Sequence, residues 1–182
     1  MSDSNFPGAR LIRWGVGLGL LASVVHLGWE ATHGGVRAHH LLARGDMPSF
    51  SNWWGLLVLP LLGGIAAASV QTRLQSSPAT LATSSIALIG STLVGVTMSA
   101  LFVANYEEVV SWVFLGVLAT GIVLPIYRPE YLFGFVLGMM VVFGPVIPLA
   151  GGLFVAGVSF AARTLVRKVF RLKAKKGASV TG

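Results

Sequence analysis

Residues 131–162 read YLFGFVLGMMVVFGPVIPLAGGLFVAGVSFAA, 32 residues without a charge. A straight helix of that length would be ~48 Å long, against a hydrocarbon core of ~30 Å. Near the middle stands Gly144-Pro145-Val146-Ile147-Pro148, a strong helix breaker. The simplest solution is two short spans, about 129–143 and 148–166, joined by a tight turn. The alternative is one tilted, kinked helix over 131–162, giving five spans in place of six.

Working outward, four more apolar runs precede this one, at about 11–30, 53–70, 81–104 and 109–126. The chain is 54% hydrophobic and 10% charged, with mean hydropathy +0.79. A soluble domain carries about 25% charged residues and shows a polar face. The expected fold is therefore all-α, a polytopic membrane helix bundle of six transmembrane helices with 11–166 as its single transmembrane domain. Residues 1–10 form a short polar N-terminus, 31–52 the one sizeable polar loop, and 167–182 a basic tail. Bulky Trp29 and Glu30 stand where a signal peptide would need small residues for cleavage, so the first span is retained.

Charge sets the orientation. Six spans with a cytoplasmic N-terminus place Arg10, Arg13, Arg73, Arg128 and the seven basic residues of 163–176 inside, and only Arg37 and Arg44 outside. Five spans divide the charges less sharply. The expectation is a bacterial inner (plasma) membrane protein with a cytoplasmic C-terminus. Arg163, Arg167, Lys168 and Arg171 fall at lipid headgroups, where basic residues beside an apolar span act as a topology signal rather than a nucleic-acid contact.

Small residues define the packing faces. Gly15, Gly19 and Ser23 recur every fourth residue in the first span; Thr83, Ala87, Ser91, Gly95 and Ser99 do so in the third. Such stripes let helix backbones approach closely, which puts the third span at the centre of the bundle. Gly34 and Gly35 end the first helix, Val36–Arg44 is expected as a short interfacial helix, and Ser51 or Asn52 as the cap of the next span. Pro60 favours a kink in the second span.

Chemistry concentrates in one stretch. All four histidines, His26, His33, His39 and His40, lie between residues 26 and 40, together with Glu30 and, slightly later, Asp46. On a helix His26, Glu30 and His33 share one face. Imidazole and carboxylate form a borderline ligand set suited to a Zn, Cu or Fe ion, and they can equally relay protons. The candidate metal set is His26, Glu30, His33, His39, His40 and Asp46, with Glu107 and Glu108 reaching the same side from the loop after the third span. Against this stands a plainer arrangement, with Glu30 and His33 at the water interface and Glu30 paired to Arg37.

Several classes fall away. Without cysteine there are no thiolate metal sites, iron–sulfur clusters or covalently attached haem. No lysine lies within a span to carry a retinal Schiff base. Only His26 is placed deep enough to ligate a buried haem. Gly15, Gly17 and Gly19 lie inside an apolar helix and serve packing, not phosphate binding. No nucleophile–base pair can be placed, so catalysis has the least support. Three functions stay open: a metal- or proton-handling protein of the lipid bilayer, acting as a subunit of a larger membrane complex or as a homo-oligomer; a small-solute transporter or channel using proline-broken helices; and a non-catalytic assembly or scaffold subunit.

Overall fold

The computed structural model describes residues 7–40, 46 and 48–178. The described residues form six α-helices: α1 Pro7–Thr32, α2 Gly55–Leu74, α3 Thr80–Val103, α4 Glu107–Val123, α5 Pro129–Phe143 and α6 Val146–Ala178. Between α1 and α2 lies a small antiparallel hairpin, β1 Ala38–His40 with β2 Ser49–Ser51, followed by a 3-10 turn at Asn52–Trp54.

Among the described residues, four segments are long and apolar enough to cross a membrane: Ala9–Thr32, Asn52–Leu74, Thr80–Val103 and Val146–Lys168. Their large side chains point outward, among them Leu21 at 61% exposure and Ile86 at 71%. Water would not tolerate so much exposed hydrocarbon; lipid does. α4 and α5 are shorter, at 17 and 15 residues.

The Gly144-Pro145 break resolves into a tight reversal. Gly144 takes φ 68°, ending α5, and α6 returns beside it, so that Gly152 meets Leu132 and the Tyr127 and Phe160 rings meet edge to face. Residues about twenty apart could not touch within one continuous helix, which excludes the single kinked helix.

Helix pairs pack through the small-residue stripes. α1 and α2 run antiparallel, with Gly15 against Gly63, Gly19 against Leu59, and Ser23 donating a 2.7 Å hydrogen bond to the Gly55 carbonyl. α3 and α5 run parallel, with Gly134 against the Leu88 carbonyl, Gly95 against Gly138, and Phe102 against Phe143. The α3 stripe therefore does face a neighbour, but α3 is not the central helix. That place belongs to α5, which packs on α2, α3 and α6 and buries nearly half its residues. Leu59, Leu62, Ala66, Phe133, Val136 and Met140 form the core between α2 and α5.

One expectation is corrected. Of the expected interfacial helix over 36–44, residues 36–40 form no helix, and residues 41–44 lie outside the described residues. Gly34 and Gly35, at φ 108° and 97°, turn the chain sharply, and Ala38–His40 pairs with Ser49–Ser51 instead. Arg44 lies outside the described residues. Of the prolines, Pro145 stands in the α5–α6 turn, as a breaker there requires, while α2 continues through Pro60 and Pro148 lies in the first turn of α6, where proline is tolerated.

The antiparallel order gives the bundle two unlike ends. The hairpin end holds the α1–α2 connection, the α3–α4 turn and the Gly144 reversal. The arginine end holds Arg73, Arg128, Glu130 and Arg163.

Candidate functional site

At the hairpin end four elements converge on one carboxylate. α1 supplies His26 and Glu30, one turn apart on the same face, with His26 Nε2 3.8 Å from Glu30 Oε1. The 3-10 turn supplies Asn52, whose Nδ2 donates a 2.7 Å hydrogen bond to the same oxygen. Ser51 takes the cap by accepting from the Trp53 amide, which leaves the Asn52 side chain to reach inward. The third element, β1, alternates, so that His39 is half-buried while Ala38 and His40 are exposed. Finally the α5–α6 turn covers the site: a Cβ at Gly144 would lie 2.2 Å from Asn52 Oδ1 and 3.1 Å from the His39 ring.

His26, Glu30 and Asn52 are only 5%, 1% and 1% exposed. A carboxylate this enclosed needs partners. Glu30 Oε1 has one in Asn52, yet Glu30 Oε2, His26 Nε2, His39 Nε2 and Asn52 Oδ1 are all buried with no hydrogen-bond partner among the described residues. Burial holds His39 below the ordinary imidazole value of 6.5; Glu30 opposes the shift, and Arg37 and His26 add to it. His39 is accordingly neutral near neutral pH, with one ring nitrogen free to accept.

The site is drawn from the sequence candidates, but not from all of them. The structure brings together His26, Glu30 and His39. It turns His33 away into an exposed stack on Trp29, at 4.7 Å between centroids, with its Nδ1 2.8 Å from the Trp29 carbonyl oxygen. Arg37 also sits over Trp29, so it does not pair with Glu30 as the plainer arrangement required. His40 and Asp46 are exposed, and Glu107 and Glu108 are exposed in the first turn of α4, a helix that packs mainly on α6 and α3. Among the described residues, no group of three or more His, Cys, Asp or Glu side chains has metal-holding geometry.

Sequence reasoning missed Asn52 as a site residue, because a polar residue before an apolar helix reads first as a cap. It also missed a second buried carboxylate. At the arginine end Glu130, 2% exposed, accepts a 2.8 Å hydrogen bond from Arg73 Nη2 and a longer one of 3.4 Å from Ser84, while its Oε2 has no partner among the described residues. Glu130 opens α5 and Arg73 closes α2, positions where each suits the helix dipole and needs no further account. Nothing in a spacing of 57 residues announces the pair.

Of the headgroup candidates, Arg163 donates through Nη1 to the Val123 carbonyl at the end of α4. Arg167 and Lys168 are exposed on α6, and the side chain of Arg171 lies outside the described set. Comparison with protein-family models, with curated proteins and with solved structures finds no match for this chain.

Proposed function

We propose that this chain is a small integral membrane protein that binds and passes protons at its hairpin end. Glu30 and His26 are the exchanging pair, and half-buried His39 is their link to water. The observation that carries this reading is the group of four enclosed polar atoms, without hydrogen-bond partners among the described residues, around a single carboxylate. Leaving one such atom unsatisfied costs ~1–3 kcal/mol, so a set of four implies a small polar guest. Each of the four can accept a hydrogen bond, which suits water carrying a proton. The 3.8 Å between His26 and Glu30 is too long for a direct hydrogen bond and short enough for transfer through bridging water. The charge bias of the loops supports placing this end outside a bacterial inner membrane, with the C-terminus and its basic residues in the cytoplasm.

Infrared difference spectra between acid and neutral pH, on the full chain in lipid, test the reading. Expected is a protonated-carboxyl band that disappears in Glu30→Gln and moves in His26→Asn. Identical spectra for wild type and Glu30→Gln would overturn it.

A second reading has its own support. Two imidazole nitrogens, a carboxylate and an amide oxygen are also a borderline ligand set for Zn, Cu or Fe. Metal analysis of untagged protein decides between them: stoichiometric metal lost in a His26→Ala/His39→Ala variant favours the ion, and negligible metal in both favours the proton.

A further inference from the structure

Towards the arginine end, α3 and the start of α5 line two neighbouring hollows. One is a polar recess of about 510 Å³ lined by Arg73, Arg128, Thr72, Ser76, Ser77 and Thr83. The other is an apolar crevice of about 340 Å³ lined by Gly90, Val94, Val117, Tyr131, Phe135 and Val155.

The two are stacked along the same elements. On α3, Thr80 and Thr83 line the recess, and Ala87, Gly90, Ser91 and Val94 line the crevice. These positions follow one helix face, advancing turn by turn from the end of the helix towards its middle. Before and along α5 the order repeats, with Arg128 in the recess and Tyr131, Leu132 and Phe135 in the crevice. A polar hollow at the helix ends, followed about one turn further along the same helices by a hydrocarbon-lined one, has the layout of an amphiphile held head-end outward.

Charge selects the head. Arg73 spends Nη2 on Glu130 and Nε on the Ser69 carbonyl, leaving Nη1; among the described residues Arg128 makes no ion pair. Beyond them this end carries Arg10, Arg13, Arg163, Arg167 and Lys168, with Glu130 already paired. A choline head would bring its own cation against Arg128, whereas a phosphate with no second cation meets only donors. Basic pockets between membrane helices hold anionic lipid heads in this way.

We propose that this pair of hollows is a binding site for one anionic phospholipid, its phosphate in the recess against Arg128 and Arg73 and one acyl chain in the crevice. The site is separate from the hairpin-end carboxylate and stands without the proton reading.

Native mass spectrometry of the full chain, released from detergent, tests it with three probes: phosphatidylglycerol, phosphatidylcholine of the same chains, and inorganic phosphate. Wild type is expected to retain one phosphatidylglycerol about fivefold more tightly than phosphatidylcholine, and no free phosphate. Arg128→Gln brings phosphatidylglycerol down to the phosphatidylcholine level. Gly90→Leu lowers retention of both lipids, because Gly90 lines the crevice and a Cβ there meets nothing within 4 Å. An unchanged thermal midpoint shows that each variant is folded. Equal retention of the two lipids by wild type overturns the proposal, as does full phosphatidylglycerol retention by both variants.

Discussion

Asn52 donates a 2.7 Å hydrogen bond to Glu30, fastening the end of the β-hairpin to the first helix at a carboxylate that is 1% exposed. The bond has two sides. It supplies Glu30 with its one direct donor among the described residues, and it anchors the start of α2 over the end of α1.

Replacing Asn52 by leucine leaves both Glu30 oxygens enclosed and unpartnered, at an expected cost of about 2–3 kcal/mol. Asn52→Asp differs in kind. It sets two carboxyls within hydrogen-bond distance, and such a pair holds one proton strongly. That variant gains stability as pH falls from about 8 to about 5 and loses it as pH rises. Thermal midpoints in detergent at the two pH values give the answer; an Asn52→Asp protein that follows wild type at both would refute the arrangement.

His39 predicts the opposite trend in the wild type. Its folded-state value lies below 6.5 because of burial. The unfolded chain therefore takes up the proton first. The contribution of neutral His39 to stability is complete above 6.5 and is lost as pH falls through the folded-state value. His39→Asn flattens that part of the pH profile. NMR titration of the His39 ring checks the direction; a value at or above 6.5 contradicts it.

Gly144 has two reasons to be glycine. Its φ is 68°, and a Cβ would stand 2.2 Å from Asn52 Oδ1. Gly144→Ala should cost about 2 kcal/mol or more, and it should disturb the Glu30 infrared band by displacing Asn52. Gly157→Ala, in α6 with nothing within 4 Å, should be neutral or stabilising by up to about 1 kcal/mol. Equal thermal midpoints for the two would remove the packing argument.

The α1–α2 seam offers a similar contrast within one helix. A Cβ at Gly19 would meet the Leu59 carbonyl oxygen at 2.2 Å, whereas one at Gly17 meets nothing within 4 Å. Gly19→Ala is expected to destabilise by about 1–3 kcal/mol and Gly17→Ala to be tolerated. Chemical denaturation in mixed micelles measures both.

Arg73→Met strands Glu130 as a buried carboxylate. The expected loss is about 3 kcal/mol, at the lower end for a buried pair because Arg73 is 26% exposed. Adding Glu130→Leu should restore most of it, since an apolar pair of similar volume needs no compensation. A double variant no better than the single one would show that the pair matters for its shape rather than its charge.

Much of the architecture was legible in the residues themselves. The Gly144-Pro145 reversal followed from a span too long for the bilayer, and the α1 stripe of Gly15, Gly19 and Ser23 named its contact face. What could not be read were the relations between distant segments. The α3 stripe showed that α3 packs closely but not against which helix, so α5, with its own Gly134 and Gly138, was overlooked as the centre. The strands of the hairpin are three residues each, too short for alternation to be distinguished from one turn of helix. Half the candidate site was visible as His26 and Glu30 at i, i+4. His33 looked equivalent, but the helix ends at Thr32 and the ring leaves the face. Asn52 and Gly144 entered only through the fold.

α5 spans about 20 Å between its two ends. One end presses on Asn52 through Gly144; the other is tied to α2 by the Glu130–Arg73 pair. Between them lies the dry layer of Leu59, Phe133, Val136 and Met140, which offers a proton no stepping stones. A substitution that shifts α5 along its axis is therefore expected to disturb the surroundings of Glu30 and Glu130 together.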